Sequence, residues 1–157
     1  MKRMERIAEL VKSQSTLALA TCSAGGAPRS APLFYLADDD LRLYWFSSSA
    51  SEHSRNLRKN PLAAVTIYRP AEKWREIRGV QMRGTVSLVA DRLRRAAITS
   101  AYAERFHLGR ALRAVMSRSS LFVFRPAWAR YIDNGKRLGY RFETPLFPSD
   151  LEPPGIR

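Results

Sequence analysis

A mainly β domain with α-helices (an α+β class) is the fold this sequence predicts, as a small antiparallel β-barrel with a helical insertion before the last strands. Three observations carry it. Apolar segments of strand length recur from about residue 15 to 89, separated by turn residues. A helical period takes over near residue 92 and gives way to strand-like runs at 120. The chain has 157 residues, 45% of them hydrophobic, which suits one domain with a real core rather than a disordered polymer. Closing seven or eight such strands removes exposed edges, which favours a barrel over an open sheet.

The elements follow in order. "MKRMERIAELVKSQS" reads as a short amphipathic helix over 1–14, with Met4, Ile7, Ala8 and Val11 on one side. It has no signal-peptide apolar region, and no stretch of the chain reaches the length of a membrane span. "STLALAT" (15–21) is a strand with Leu17 and Leu19 on one face, and "SAGGAP" (23–28) a turn. "RSAPLFYLA" (29–37) is the second strand, where Pro32 predicts a sheet edge, a bulge or a break in hydrogen bonding. "DDD" (38–40) turns the chain into "LRLYWF" (41–46).

In "SSSASEHSRNLRKNP", Ser51 is a good N-cap, and Glu52 suits the positive end of the helix dipole. About two helical turns end at Asn60, because a residue before proline avoids the helical region. "LAAVTIY" (62–68) is the fourth strand, and 69–78 a loop or short helix. "GVQMRGTVSLV" (79–89) puts Val80, Met82, Val86 and Leu88 on one face, with Gln81, Arg83, Thr85 and Ser87 opposite. Gly84 marks a bulge or a close backbone approach.

Asp91 caps a helix over about 92–106, with Leu93, Ala97 and Ala101 in one apolar row and Ile98, Tyr102 and Phe106 in the next. A second helical piece spans 108–118, and "SLFVFRP" (120–126) returns to strand. "WARYIDNGKRLGYRFE" (128–143) predicts a hairpin turning at Asn134-Gly135. Residues 1–144 thus form one domain, and 145–157 a proline-rich tail, extended or poorly ordered.

Function classes narrow quickly. One cysteine, Cys22, and two histidines, His53 and His107, without metal spacing, predict no disulfide framework and no zinc site. No nucleophile elbow, P-loop or dinucleotide fingerprint occurs. No general acid or base stands out, so no catalytic residue is assigned. The net charge of +13 favours anionic partners or a simply solvated basic surface. Nucleic acid is not expected, since no basic block occurs and the aromatics fall on apolar strand faces. A cytoplasmic protein fits this composition.

The junction after the third strand is where a ligand fits. Small residues let a phosphate approach the backbone, and N–H groups at a helix start form an anion seat. Ser47, Ser48 and Ser51 offer hydroxyls there, and His53 with Arg55 adds positive charge.

"ATCSAGGAPRSAP", the spacing S-x-x-S-x-N-L-x-x-N-P over 51–61, and "VQMRGTV" together resemble the pyridoxamine 5'-phosphate oxidase-like family of FMN-binding split-barrel proteins. The resemblance covers about residues 15–106. It implies an antiparallel split β-barrel with FMN as cofactor, held between the two subunits of a homodimer, and a small-molecule substrate in a flavin-dependent oxidoreductase. It implies that Arg29, Ser30 and Ala31 line the flavin and that Ser47 and Ser48 match the end of the third strand. Ser51 and His53 would hold the phosphate, and Gln81 would meet the ring. The alternative is a non-catalytic module binding or sensing flavin, haem or deazaflavin. His53 stands where the oxidase proper has lysine, which implies a pH-dependent hold on phosphate. The oxidase's C-terminal substrate motif has no match in "RYIDNGKRLGYRF", so vitamin B6 oxidation is not expected.

Overall fold

The computed structural model describes residues 2–146. Helix α1 (Arg3–Ser13) precedes β1 (Thr16–Cys22), β2 (Pro28–Phe34), the two-residue β3 (Leu36–Ala37) and β4 (Leu43–Ser47). Helix α2 (Glu52–Lys59) leads to β5 (Leu62–Tyr68), and a 3-10 turn at Trp74–Glu76 to β6 (Arg78–Leu88). Helices α3 (Arg92–Arg105) and α4 (Arg110–Arg118) precede β7 (Ser120–Asp133) and β8 (Arg141–Pro145).

The strands form one antiparallel sheet in the order β2-β1-β5-β6-β7-β4-β3, with β8 added along β7. Its two terminal strands, β2 and β3, are consecutive in the chain and separated only by Tyr35. Neighbouring Cα atoms are about 3.8 Å apart, so the sheet must curl until its ends nearly meet. This is the split barrel. One edge of β7 is shared, since Leu43–Ser47 pair with its first residues and β8 pairs from Trp128 onward.

The interior follows the period of two. Leu17, Leu19, Val65, Ile67, Val80, Met82 and Tyr131 point inward and are buried. Helix α1 closes the barrel with Ile7, Leu10 and Val11, each worth about 2 kcal/mol when buried. Tyr35 is also buried there. Its hydroxyl donates to the Val11 carbonyl, and its N–H to the Ser15 carbonyl at 3.1 Å.

Alternating strand directions bring particular termini together. The ends of β1, β4 and β6 share one mouth of the barrel with the starts of β2, β5 and β7. Helix α2, which links β4 to β5, lies at that mouth, as does the α3–α4 insertion.

Several expectations need correction. The expected second strand, 29–37, is interrupted at Tyr35, while Pro32 sits within β2, a terminal strand of the sheet, as the sheet-edge alternative predicts. The third strand starts at Leu43. Leu41 adopts φ 58° to bury its side chain at the end of the aspartate turn. Segments 120–126 and 128–133 are one 14-residue strand with a bulge near Ala127. Its hairpin with β8 has a longer loop than a two-residue turn. Asp133 accepts from the Gly135 N–H at 3.0 Å and meets Arg78 Nε at 3.2 Å, which draws Asn134-Gly135 toward β6. Pro145 closes β8, and the rest of the expected tail, 147–157, lies outside the described residues. Leu88 is exposed at the end of β6. The row Leu93, Ala97, Ala101 faces outward, while Tyr102 and Ala103 carry the packing of α3.

Gly84 is explained by both of its expected roles. It faces Pro126 at the bulge, and a Cβ there would lie 2.0 Å from the Arg125 carbonyl oxygen. Gly84→Ala should cost about 2–4 kcal/mol in urea unfolding, because backbone must move. Gly25→Ala, whose Cβ would meet only Ser23 Oγ at 3.9 Å, should change stability by less than about 1 kcal/mol. Equal losses at both positions would contradict the bulge contact.

Candidate functional site at the β4–α2 junction

Strand β4 delivers Ser47 to the barrel mouth, and a tight turn reverses the chain into α2. The Ser51 N–H donates to the Ser48 carbonyl at 3.1 Å, and the Ala50 N–H to Ser48 Oγ at 3.2 Å. Ser51 takes the extended conformation of an N-cap, and its Oγ accepts from the Ser54 N–H at 3.3 Å. Helix α2 is tied to β1 by a buried bond, Asn56 Nδ2 donating to Thr21 Oγ1 at 3.1 Å. Thr21 lies opposite Arg29 in the β1–β2 ladder, so this bond also sets the distance from Arg29 to the helix.

The polar atoms converge on one imidazole. His53 Nε2 lies 2.6 Å from Ser47 Oγ and 3.1 Å from Ser51 Oγ. Ser47 and Ser51 hydroxyls are 3.2 Å apart, and Ser51 Oγ reaches the fully buried Ser54 Oγ at 2.7 Å. Burial holds the His53 pKa below its ordinary value near 6.5, against the opposing pull of Glu52. In the neutral tautomer that carries its proton on Nδ1, Nε2 accepts from the Ser47 hydroxyl; protonation turns Nε2 into a donor and frees a serine hydroxyl to face an anion.

Three guanidiniums border the junction. Arg29 Nε donates to Glu52 Oε1 at 2.5 Å and Nη1 to the Pro28 carbonyl at 3.2 Å. Arg55 donates to the Ala50 carbonyl, and Arg58 to the Ser49 carbonyl at 2.7 Å. The donor set of hydroxyls, imidazole and guanidinium suits a phosphate monoester. Glu52 is the member that does not, since its carboxylate repels an anion.

Among the residues expected to bind a cofactor, Ser47, Ser51 and His53 are in contact, and Ser48 and Arg29 adjoin them through the turn and Glu52. Ser30 follows Arg29 on β2 and is exposed; Ala31 stands opposite Leu19 and is half-buried. Gln81 is elsewhere. It pairs with Thr66 and Arg130 in mid-sheet, whereas Ser47 pairs with Ser120 at the mouth end of β7, so the strand register does not bring Gln81 into the cluster. Near Gln81, Trp128 lies mid-strand between the Arg83 and Arg130 guanidiniums, 4.3 and 5.2 Å from its ring centre. His107 is exposed between α3 and α4 with φ 50°.

The spacing quoted over 51–61 contains Ser54 and Asn56, but sequence reasoning gave neither a role at the site and missed the pairing of Glu52 with Arg29. Ser54 was signalled by its position one turn beyond Ser51. Asn56 was signalled as a poor helix former inside a short helix. The partner of Glu52 depends on strand register and had no local signal.

The family model described as "Pyridoxamine 5'-phosphate oxidase" matches residues 4–133. No curated protein matches. Among solved structures, a heme binding protein from Mycobacterium smegmatis aligns with TM-score 0.76 and 21% identity over 93% of this chain. This chain spans 59% of that protein's length. HutZ, the heme storage protein from Vibrio cholerae, aligns with TM-score 0.66 and 22% identity over 80% of this chain and 91% of its own. A general stress protein 26-related protein of the pyridoxinephosphate oxidase family from Clostridium acetobutylicum aligns with TM-score 0.65 and 15% identity, over 92% of this chain and 96% of its own. At these identities the structural likeness shows the fold alone. Among the described residues no helix is long and apolar enough to cross a membrane.

The lowered His53 pKa has a defined sign. The folded state prefers the neutral ring, so its contribution is intact above pH 6.5 and declines as pH falls below that value toward the folded pKa. The Tm of the wild type minus that of His53→Gln should therefore be larger at pH 7.5 than at pH 5.5. A difference that grows on acidification would mean that His53 is held protonated.

Proposed function

The chain belongs to the pyridoxamine 5'-phosphate oxidase family, and from that premise we propose that it binds FMN across a homodimer and serves as a flavin-dependent oxidoreductase for a small molecule. The observation that carries this reading is the convergence of Ser47, Ser51 and His53 at the first turn of α2. Those groups would hold the phosphate, with Arg29 as the cation within reach, and Ser30 and Ala31 would line the flavin beside them. Bound FMN supplies the hydride or electron chemistry; the chain's own part is to anchor, orient and shield it. His53 can switch between accepting a serine proton and donating to phosphate. The α2 backbone N–H groups add fixed positive ends.

The exposed Leu88, Leu93, Leu112 and Val115 give apolar surface that a second copy would cover, and Gln81 and Trp128, which the sheet does not bring into the serine–histidine cluster, would meet the ring from that copy. Haem is the alternative reading, with His53, whose Nε2 is bonded to two serine hydroxyls, and the exposed His107 as the imidazoles it could use.

FMN at one hundred times its Kd stabilises a folded protein by about 2.7 kcal/mol. For a domain of this size that is a rise in Tm of roughly 5–10 °C. The protein should show that rise, a flavin absorbance spectrum and the light-scattering mass of a dimer. Ser47→Ala with Ser51→Ala should reduce FMN affinity by about tenfold or more, because two hydroxyl donors to a dianion are lost. A monomeric protein stabilised by haem but not by FMN would overturn the reading.

A further inference from the structure

Arg29 is the cation best placed to meet a phosphate at the start of α2, yet it is already held by a carboxylate. We propose that Glu52 is a specificity-determining residue, an internal counter-anion that occupies Arg29 and sets how strongly this chain takes a dianionic phosphate. The inference rests on the flavin reading above and concerns the same junction.

The charges make the case. Arg29 contributes one positive charge, Glu52 cancels it through the 2.5 Å bond, and His53 is kept neutral by burial. The other two guanidiniums border the turn but are bonded to its carbonyls, Arg55 to Ala50 and Arg58 to Ser49. An arriving phosphate therefore finds hydroxyls and backbone N–H groups, and a carboxylate on the first helical residue. The Arg29–Glu52 pair is about half exposed on each side, 49% and 52%. Exposed pairs exchange partners at little cost. Glu52 thus acts as a competitor for Arg29 rather than as a lock: phosphate can displace it, but only by leaving Glu52 unpaired beside a second anion. The effect is confined to the phosphate end of the ligand, so riboflavin, which has the same ring and no phosphate, is the control.

The test is a fluorescence titration of the full chain with FMN and with riboflavin, for the wild type, Glu52→Gln, Arg29→Gln and the double variant, each confirmed as folded by thermal melting. Glu52→Gln should tighten FMN binding by roughly tenfold, the scale of one charge-assisted hydrogen bond gained, and leave riboflavin within about twofold. Arg29→Gln should weaken FMN. In the Arg29→Gln background the gain from Glu52→Gln should shrink to about threefold or less, since only direct repulsion is then relieved. FMN bound equally by wild type and Glu52→Gln, or more weakly by the variant, overturns the inference while leaving the flavin reading standing. A full gain without Arg29 overturns the competition for Arg29. No FMN binding by any folded variant overturns the flavin reading itself, and this inference with it.

Discussion

The buried turn at Tyr35 governs the architecture. Strands β2 and β3 are neighbours in the chain and opposite ends of the sheet. Both statements can hold only if the sheet rolls up, and Tyr35 is where it does. Its backbone leaves the ladder to bond Ser15, and its hydroxyl reaches the last turn of α1 at Val11. Helix and sheet ends are thereby fixed by one side chain. Burial pushes the Tyr35 hydroxyl well above its ordinary pKa, which favours the neutral form that donates to Val11.

Rolling the sheet gives one mouth its chemistry. Antiparallel order brings Thr21, Arg29 and Ser47 to the same end from three strands, and α2 crosses between them. The Asn56–Thr21 bond seats the helix on β1 in a buried setting, where an unpaired amide would be costly. The serine–histidine cluster above it satisfies itself when no ligand is bound. Its donors therefore reach a ligand only by exchanging partners. The same logic applies to Glu52 and Arg29, so the whole junction consists of groups that already have partners and can trade them.

Much of this was legible in the sequence, for stated reasons. Period-two alternation located β1, β5 and β6, and Ser51 and Asn60-Pro61 bounded α2 almost to the residue, because caps and prolines act locally. Gly84 announced the bulge. What was not legible depends on contacts between distant segments. Leu93, Ala97 and Ala101 have the spacing of a core row, but spacing cannot say which side of a helix meets its own sheet. Segments 120–126 and 128–133 looked separate because Pro126 interrupts the pattern, whereas the bulge absorbs it. The high positive charge is also a weaker guide than it looks. Arg95 donates to the Met116 and Ser119 carbonyls, and Arg105 to those of Lys12 and Gln14, so these cations staple helices rather than wait for a ligand. The Arg29–Glu52 pair belongs with them: it needs the β1–β2 register, which no local motif encodes.

The central claim is that the β4–α2 junction is the anchor for a phosphate, with the rest of the cofactor reaching toward a second copy of the sheet. A crystal structure of the protein grown with excess FMN tests it most directly. The account predicts phosphate oxygens within hydrogen-bond distance of Ser47, Ser51 and His53 from one chain, and the ring against Gln81 or Trp128 of the other. A flavin phosphate bound elsewhere, or a ring and phosphate held wholly by one chain, would contradict it.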